Sequence, residues 1–349
     1  MALNKNDLMQ LMKVAMTANA SAPTAYSFNG ASLDYSAVQN TLRDEMNALC
    51  ATPALYRENQ NLIFSVIEQV IDDVLPAKVA NRYSDLAEVR VFAQGDKVEF
   101  KRNRTNNRRA KQFVTRVGLA GRYEVFKLSR KEETFQIKTS AIGGAAQIGF
   151  EEFLDGRIDM AEVLNYVMEG MDELIQEEIV KAMEAGINQL PAANQVTWAG
   201  WHEASMDHLI SVAAAYGTPV IYCTREFAVR MIPANDYRSD AMKEIIWNNG
   251  WLGNYKGTKV VILDQSFTDE TNSKKVVDPR HAWVIATGAN GKPVYVAIEG
   301  NALVKEHEND DWSRDVQVYK KVGVAAMLNN SVCHYEDTSL KMDVVKPTV

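Results

Sequence analysis

Three cysteines in 349 residues are too few for a disulfide scaffold, and Cys50, Cys223 and Cys333 are spaced too widely for a zinc module. Each sits among apolar neighbours and reads as a reduced, buried thiol in a reducing compartment. No apolar run approaches the roughly 20 residues of a membrane-spanning helix, so no membrane is expected among the partners. The opening residues, MALNKNDLMQLMKVAMTANASAP, carry Asp7 and lack a continuous apolar stretch, which argues against a secretory signal. Histidines number only five, and the nearest approach to a metalloprotease pattern is His202-Glu203 followed by His208. Six residues put those imidazoles on opposite sides of a helix, whereas a shared zinc needs them one turn apart. Glu306-His307-Glu308-Asn309-Asp310-Asp311 is rich in oxygen ligands but lacks the glycine and spaced acid of a calcium loop, and reads as a solvated acidic turn. Gly143-Gly144 and Gly118-x-x-Gly121 open no helix bearing a Lys-Ser/Thr pair, which excludes a phosphate cradle. No Ser-His-acid triad or nucleophile elbow is present. The sequence therefore assigns no catalytic residue, no cofactor and no metal ligand.

What the chain does have is an uneven distribution of charge. Overall it carries −7. Between residues 88 and 139, fourteen Lys and Arg face six acids, for +8, leaving −15 elsewhere. The next segment, Glu151 to Gln189, holds eleven acids and two bases. A basic segment beside an acidic one in every copy suits a self-associating protein, because the asymmetry steers encounter and register. The candidate contact residues are Lys101, Arg102, Arg104, Arg108, Arg109 and Lys111 on the basic side, with Asp172, Glu173 and Glu177 on the acidic side. The basic cluster is also the one candidate for nucleic acid. It lacks interleaved stacking aromatics, however, and the chain as a whole is acidic.

Residues 88–148 show short alternations of apolar and polar positions, such as Val98, Phe100 and Phe113, Thr115, Val117, separated by polar or Gly-bearing turns. A two-stranded ribbon with about 20 residues per leg would reach on the order of 60 Å. Such a ribbon is marginal by itself in water, and with no dense apolar face of its own it is expected to lie on a neighbouring copy. Residues 1–60 read as an arm with short helical pieces, Leu8 to Met16 and Leu33 to Leu49. An amphipathic helix from Asn61 to Leu75 should stop at Pro76. A long helix over 160–185 carries Met160, Leu164, Val167, Met171, Leu174, Ile175, Ile179 and Met183 as one apolar stripe. Asp159 and Glu162 form its capping box, Ile158 and Val163 its staple, and Gly186 its C′ residue. Gly170 inside it implies a close contact. From Asn194 the pattern becomes α/β: a helix from Glu203 to Tyr216, strand Val220–Cys223, a short helix capped by Thr224, and strand Lys259–Leu263. A Trp- and Asn-rich loop spans 247–251, and strands 281–287 and 294–299 are expected to form a hairpin across Gly288 to Gly291. The final alternation runs Val316 to Val324, with a last β piece near Val332 to Tyr335.

These pieces, in this order, resemble the major capsid protein of tailed bacteriophages, the Hong Kong 97-type shell fold, an α+β architecture. The resemblance covers nearly the whole chain and rests on element order and proportion, since that family has no short sequence signature. It equates residues 1–60 with an N-terminal arm and 88–148 with the extended β-hairpin loop. The peripheral domain is 61–87, 149–194 and 300–325, with its spine helix at 160–185, and the axial α/β domain is 195–299 and 326–349. It implies hexamers and pentamers closing into an icosahedral shell around double-stranded DNA, in a virion assembled in the host bacterial cytoplasm. A separate scaffolding protein is implied, because no scaffold of about a hundred residues precedes the arm. A portal protein and a decoration protein are the remaining implied partners. Within the fold the alternative is an encapsulin-like compartment shell. From other classes, the alternatives are a nucleic-acid clamp using the basic ribbon and an α/β enzyme.

Overall fold

The computed structural model describes residues 4–17, 26–28, 31–84, 86–104, 131–148, 160–233, 238–269, 271–287, 292–308 and 314–343. Helices α1 (Lys5–Thr17), α2 (Tyr35–Cys50) and α3 (Pro53–Arg82) come first, with a small hairpin of β1 (Tyr26–Phe28) and β2 (Ala31–Leu33) between α1 and α2. Helix α3 starts where Thr52 leaves helical geometry and its hydroxyl accepts the Leu55 N–H at 3.3 Å, with Pro53 in the first turn. Ile63, Val66, Ile67, Val70, Ile71, Leu75 and Val79 recur at helical spacing and are all buried. The helix does not stop at Pro76 as the sequence suggests; it continues for six more residues. An interior proline costs about 3 kcal/mol. Full burial of each neighbouring Ile, Val and Leu contributes about 1.5–3 kcal/mol, so packing on both sides of Pro76 prevails. The segment read as an arm also differs: Leu8, Leu11 and Met12 of α1 and Val38, Leu42 and Met46 of α2 are buried in the same core as α3.

Helix α4 (Met160–Gly186) is the long second helix, and its described inner stripe, Met168, Met171, Ile175, Ile179 and Met183, is buried. Ile158 and Asp159 lie outside the described residues, as does the side chain of Val163. Gly186 is not a left-handed C′ residue: its φ of −78° is helical, and the chain runs on into a 3-10 turn at Ile187–Gln189. Its role is space, because a Cβ there would stand 2.9 Å from the Leu328 side chain. Gly170 meets nothing within 4 Å of the position its Cβ would take, so no contact among the described residues explains it.

Two sheets flank these helices. The first runs β3-β12-β13-β6, from β3 (Ala87–Phe92), β6 (Ser140–Ile148), β12 (Val294–Glu308) and β13 (Arg314–Ala326), with only the β3–β12 pair parallel. The sequence places β3 and β6 in the extended ribbon, but both are strands of this sheet. Only β4 (Glu99–Arg104) and β5 (Lys131–Gln136) pair as a separate two-stranded ribbon, from Glu99↔Gln136 to Arg104↔Lys131. The ribbon root also has an apolar face, contrary to expectation. Phe100 is fully buried, stacked on Phe135 with centroids 5.9 Å apart, and edge-on to Tyr295 at 5.1 Å and Phe92 at 5.5 Å. Alternation along β12 explains it: Val294, Val296 and Ile298 face α3 and α4, while Tyr295 and Ala297 face the ribbon root.

The second sheet has the order β7-β14-β11-β8-β10-β9. Its strands are β7 (Gln195–Trp198), β8 (Thr218–Cys223), β9 (Asn254–Tyr255), β10 (Thr258–Ile262), β11 (His281–Thr287) and β14 (Val332–Asp337). Helices α5 (Glu203–Ala214) and α6 (Arg225–Arg230) cover one face, where Met206, Leu209 and Phe227 pack on Ile221, Cys223, Val284 and Tyr335. The other face, through Tyr222, Trp283 and Ile285, joins the core built on α3 and α4. The expected hairpin of β11 and β12 does not form. Both edges of β11 are taken by β8 and β14, and β12 is paired with β3 and β13, so the strands lie in different sheets. The passage from one sheet to the other therefore falls before Val294. Trp247, Asn248 and Asn249 are not loop residues but the last turn of helix α7 (Asp240–Asn249), which ends at Gly250 with φ 80°.

Candidate assembly surfaces and an interior polar cluster

On β4, Lys101 is exposed, and Arg102 and Arg104 stand in register with Glu133 and Lys131. Arg108, Arg109 and Lys111 lie outside the described residues. On α4, Glu173 is exposed and Glu177 is half-buried, in an i,i+4 pair with Lys181 at 2.5 Å. Beside them Tyr166 is 66 % and Leu174 42 % exposed, with Gly170 between them at four-residue spacing.

Asp172 does not belong to this surface. It is 1 % exposed and accepts from Arg82 Nη1 at 2.5 Å, and Arg82 also reaches Asp264 at 3.0 Å. Asp172 falls four residues after Met168 and three before Ile175, so the helix turns it inward with them. It is a tie between α3 and α4 within one copy and is not available to a neighbour.

A second surface carries no charge signal and was not foreseen. Helix α7 is well capped: the Ser239 hydroxyl accepts the Met242 N–H at 3.3 Å, and the Gly250 N–H donates to the Ile246 carbonyl at 2.8 Å. Yet none of its residues is buried, Ile245 is 43 % exposed and Trp247 is 89 % exposed. The sequence carries a signal for it in Met242, Ile245, Ile246 and Trp247, of which Met242 and Ile246 are half-buried while Ile245 and Trp247 are exposed.

His202 and His208 have separate neighbours. His202 stacks on Trp198 with centroids 4.6 Å apart and its Nδ1 is 2.8 Å from the Ser205 hydroxyl, while His208 Nε2 lies 3.2 Å from the Ala193 carbonyl. Cys223 and Cys333 are free and buried, and burial pushes both thiols up to about 12; the Cys50 side chain lies outside the described set. Glu306 is not in a solvated turn: on β12 it accepts from the Tyr56 hydroxyl at 2.9 Å and from Gln60 Nε2 at 2.5 Å. Gly143 lets β6 approach the Val318 carbonyl on β13, so it serves strand packing. Among the described residues no helix is long and apolar enough to cross a membrane.

One convergence of metal-ligand types exists among the described residues, and it joins residues far apart in sequence: Glu184 on α4, Asp278 in the turn before β11, and His281 at the start of β11. It borders a cavity of about 100 Å³ between α4, the end of α3 and the second sheet. Arg280 clasps Asp278, with Nε 3.0 and 2.9 Å from the two carboxylate oxygens. His281 Nδ1 is 2.9 Å from His334 Nε2, and His334 is 2 % exposed, its ring 4.6 Å from that of Trp283. Burial pushes the His334 imidazole down to about 3, with His281 adding to the shift, so it is neutral at physiological pH.

A long helix laid across two sheets, a ribbon rooted on one sheet and projecting from it, and a capped helix that buries nothing together define a shell-building subunit of the Hong Kong 97 type. A family described as "SPbeta prophage-derived putative capsid protein YonB" matches residues 10–333, and the chain belongs to it. It is a capsid protein of the virion that self-assembles into an icosahedral shell. A search of curated proteins finds no match. Among solved structures, "Satellite phage P4 procapsid including size determination (Sid) protein" aligns with a TM-score of 0.50 at 10 % identity, covering 82 % of this chain and 98 % of that one. "Asymmetric unit of bacteriophage PhiM1 mature capsid" aligns with a TM-score of 0.47 at 11 % identity over 74 % and 87 % of the two chains. "Microbacterium phage Oxtober96" aligns with a TM-score of 0.47 at 12 % identity over 72 % and 88 %.

Proposed function

We propose that the chain assembles as hexamers and pentamers around double-stranded DNA, in the host bacterial cytoplasm, as a structural protein without catalytic activity. A separate scaffolding protein, a portal protein and a decoration protein are its partners in this reading. The peripheral domain comprises 61–87, 149–194 and 300–325, and the axial domain most of 195–299 with 326–349. The ribbon carrying Lys101, Arg102, Arg104, Arg108, Arg109 and Lys111 lies on the α4 face of an adjacent copy that bears Glu173 and Glu177.

The observation that carries this reading is the division of labour along the ribbon. Its root is held by Phe100 and Phe135 against Tyr295. Its charge, by contrast, is matched by an acidic helix face that leaves Glu173 and Leu174 open to solvent. Individual exposed pairs are worth about 0–1 kcal/mol, so the repeated set governs register more than affinity.

Charge reversal tests it. With Lys101, Arg102 and Arg104 changed to Glu, the chain should stay folded, because the aromatic root is untouched. Electron microscopy should then show failed or aberrant shells even without DNA. Normal empty shells that cannot retain DNA would move the contact to nucleic acid, and normal packaged shells would remove it altogether.

A further inference from the structure

We propose that Glu184, Asp278 and His281 form a binding site for a divalent first-row cation of the zinc or manganese class, which ties the long helix α4 to the second sheet. One carboxylate comes from α4, the other from the turn before β11, and the imidazole from β11 itself. Their ligand atoms all lie within 4.8 Å of one another. Ligands held about 2.1 Å from one ion in tetrahedral geometry are about 3.4 Å apart, so binding requires the set to close by up to about 1.4 Å from a separation of as much as 4.8 Å.

Three features beyond the cluster fit this role. The first is the orientation of the imidazole. His281 presents Nε2 towards Asp278, 3.7 Å from Oδ2, while Nδ1 lies 2.9 Å from His334 Nε2. If Nδ1–H donates to His334 Nε2, the Nε2 lone pair is left for a metal, the arrangement in which a second group fixes a ligand histidine. The second is space: the adjoining cavity of about 100 Å³ exceeds what several waters need to fill an open coordination sphere. The third is independent of the cluster. Tyr83, which lines that cavity, is 8 % exposed, and its buried hydroxyl has no hydrogen-bond partner among the described residues. A buried hydroxyl left this way is unfavourable, and water held in the cavity would satisfy it.

The choice of cation follows from the donor set. Two carboxylates with one imidazole suit zinc or manganese, whereas calcium and magnesium sites are built from oxygen alone. Arg280 is the competitor, since it already occupies both oxygens of Asp278. Each oxygen already accepts twice, Oδ1 from the Arg280 backbone N–H at 2.9 Å and Nε, and Oδ2 from Nε and Nη2 at 2.5 Å, so an ion has to displace part of this grip, and the site is a weaker one than a closed structural zinc centre. Its place in the fold gives it a purpose: Glu184 moves with α4 while Asp278 and His281 move with the second sheet. An ion there fixes the angle between the two.

The test uses the full-length chain, stripped of metal and titrated calorimetrically with zinc chloride and with manganese chloride. One saturable site per chain is expected, with binding at least about tenfold weaker in Glu184→Gln and in His281→Gln and unchanged in Trp247→Ala. Histidine NMR of the unaltered protein provides a readout that does not depend on variants folding: zinc should shift the His281 ring resonances and manganese should broaden them. Absence of saturable binding, full affinity in both variants, or binding of calcium or magnesium that leaves His281 unmoved would overturn the assignment.

Discussion

Helices α3 and α7 reverse the usual relation between local signals and burial. Helix α3 has a proline in its interior and still runs thirty residues, because the residues on either side of Pro76 are buried. Helix α7 has a side-chain cap at one end and a left-handed glycine at the other, yet buries none of its ten residues. Capping contributes about 1 kcal/mol, so α7 rests on its two ends and on the half-buried Met242 and Ile246, and an exposed Trp247 is stabilised only when something covers it. Helix α3 serves the fold of one copy. Helix α7 leaves Ile245 and Trp247 exposed.

The most damaging test of this contrast is on α3. Lys320 is 1 % exposed, ion-paired to Asp72 and donating to the Gly300 carbonyl at 2.5 Å, and the Ala302 N–H donates to Asp72 at 2.7 Å. Asp72→Ala strands a buried ammonium and should destabilise the chain by about 3–5 kcal/mol in chemical denaturation. Replacing both partners with apolar residues of similar volume should recover most of that loss. Ile71→Ala, a cavity in the same helix, should cost about 2–5 kcal/mol. Pro76→Ala sharpens the contrast in the other direction. If packing alone carries α3 through the proline, the substitution should stabilise the chain, by up to about 3 kcal/mol. A loss would mean the proline bend is needed.

Acid should act on the second sheet and leave α7 alone. His334 is neutral in the fold, with its pKa pushed down to about 3 from an ordinary 6.5. Between those values the unfolded chain binds the extra proton and the folded chain does not. Stability is therefore complete above about pH 6.5 and declines as pH falls towards 3. Melts of the metal-free protein across that window should show the decline, and His334→Gln should flatten it. The smallest effect on one copy belongs to Trp247→Ala: within about 0.5 kcal/mol on subunit stability, with the defect confined to shell formation, read by light scattering and microscopy. A large loss of subunit stability would place α7 with α3 and end the comparison.

The periodic stripes of α3 and α4, the Thr224 cap of α6 and the strand alternations were legible in the sequence, because period and cap chemistry are local. The inward position of Asp172 was legible as well, since it stands four residues after Met168 and three before Ile175. Three outcomes were decided only by tertiary structure. Pro76 is tolerated because burial outweighs a local penalty. β11 and β12 part into different sheets because the edges of each are taken by strands distant in sequence. Glu184 meets Asp278 and His281 across 94 residues because α4 lies on the face of the second sheet, a juxtaposition that no spacing along the chain encodes.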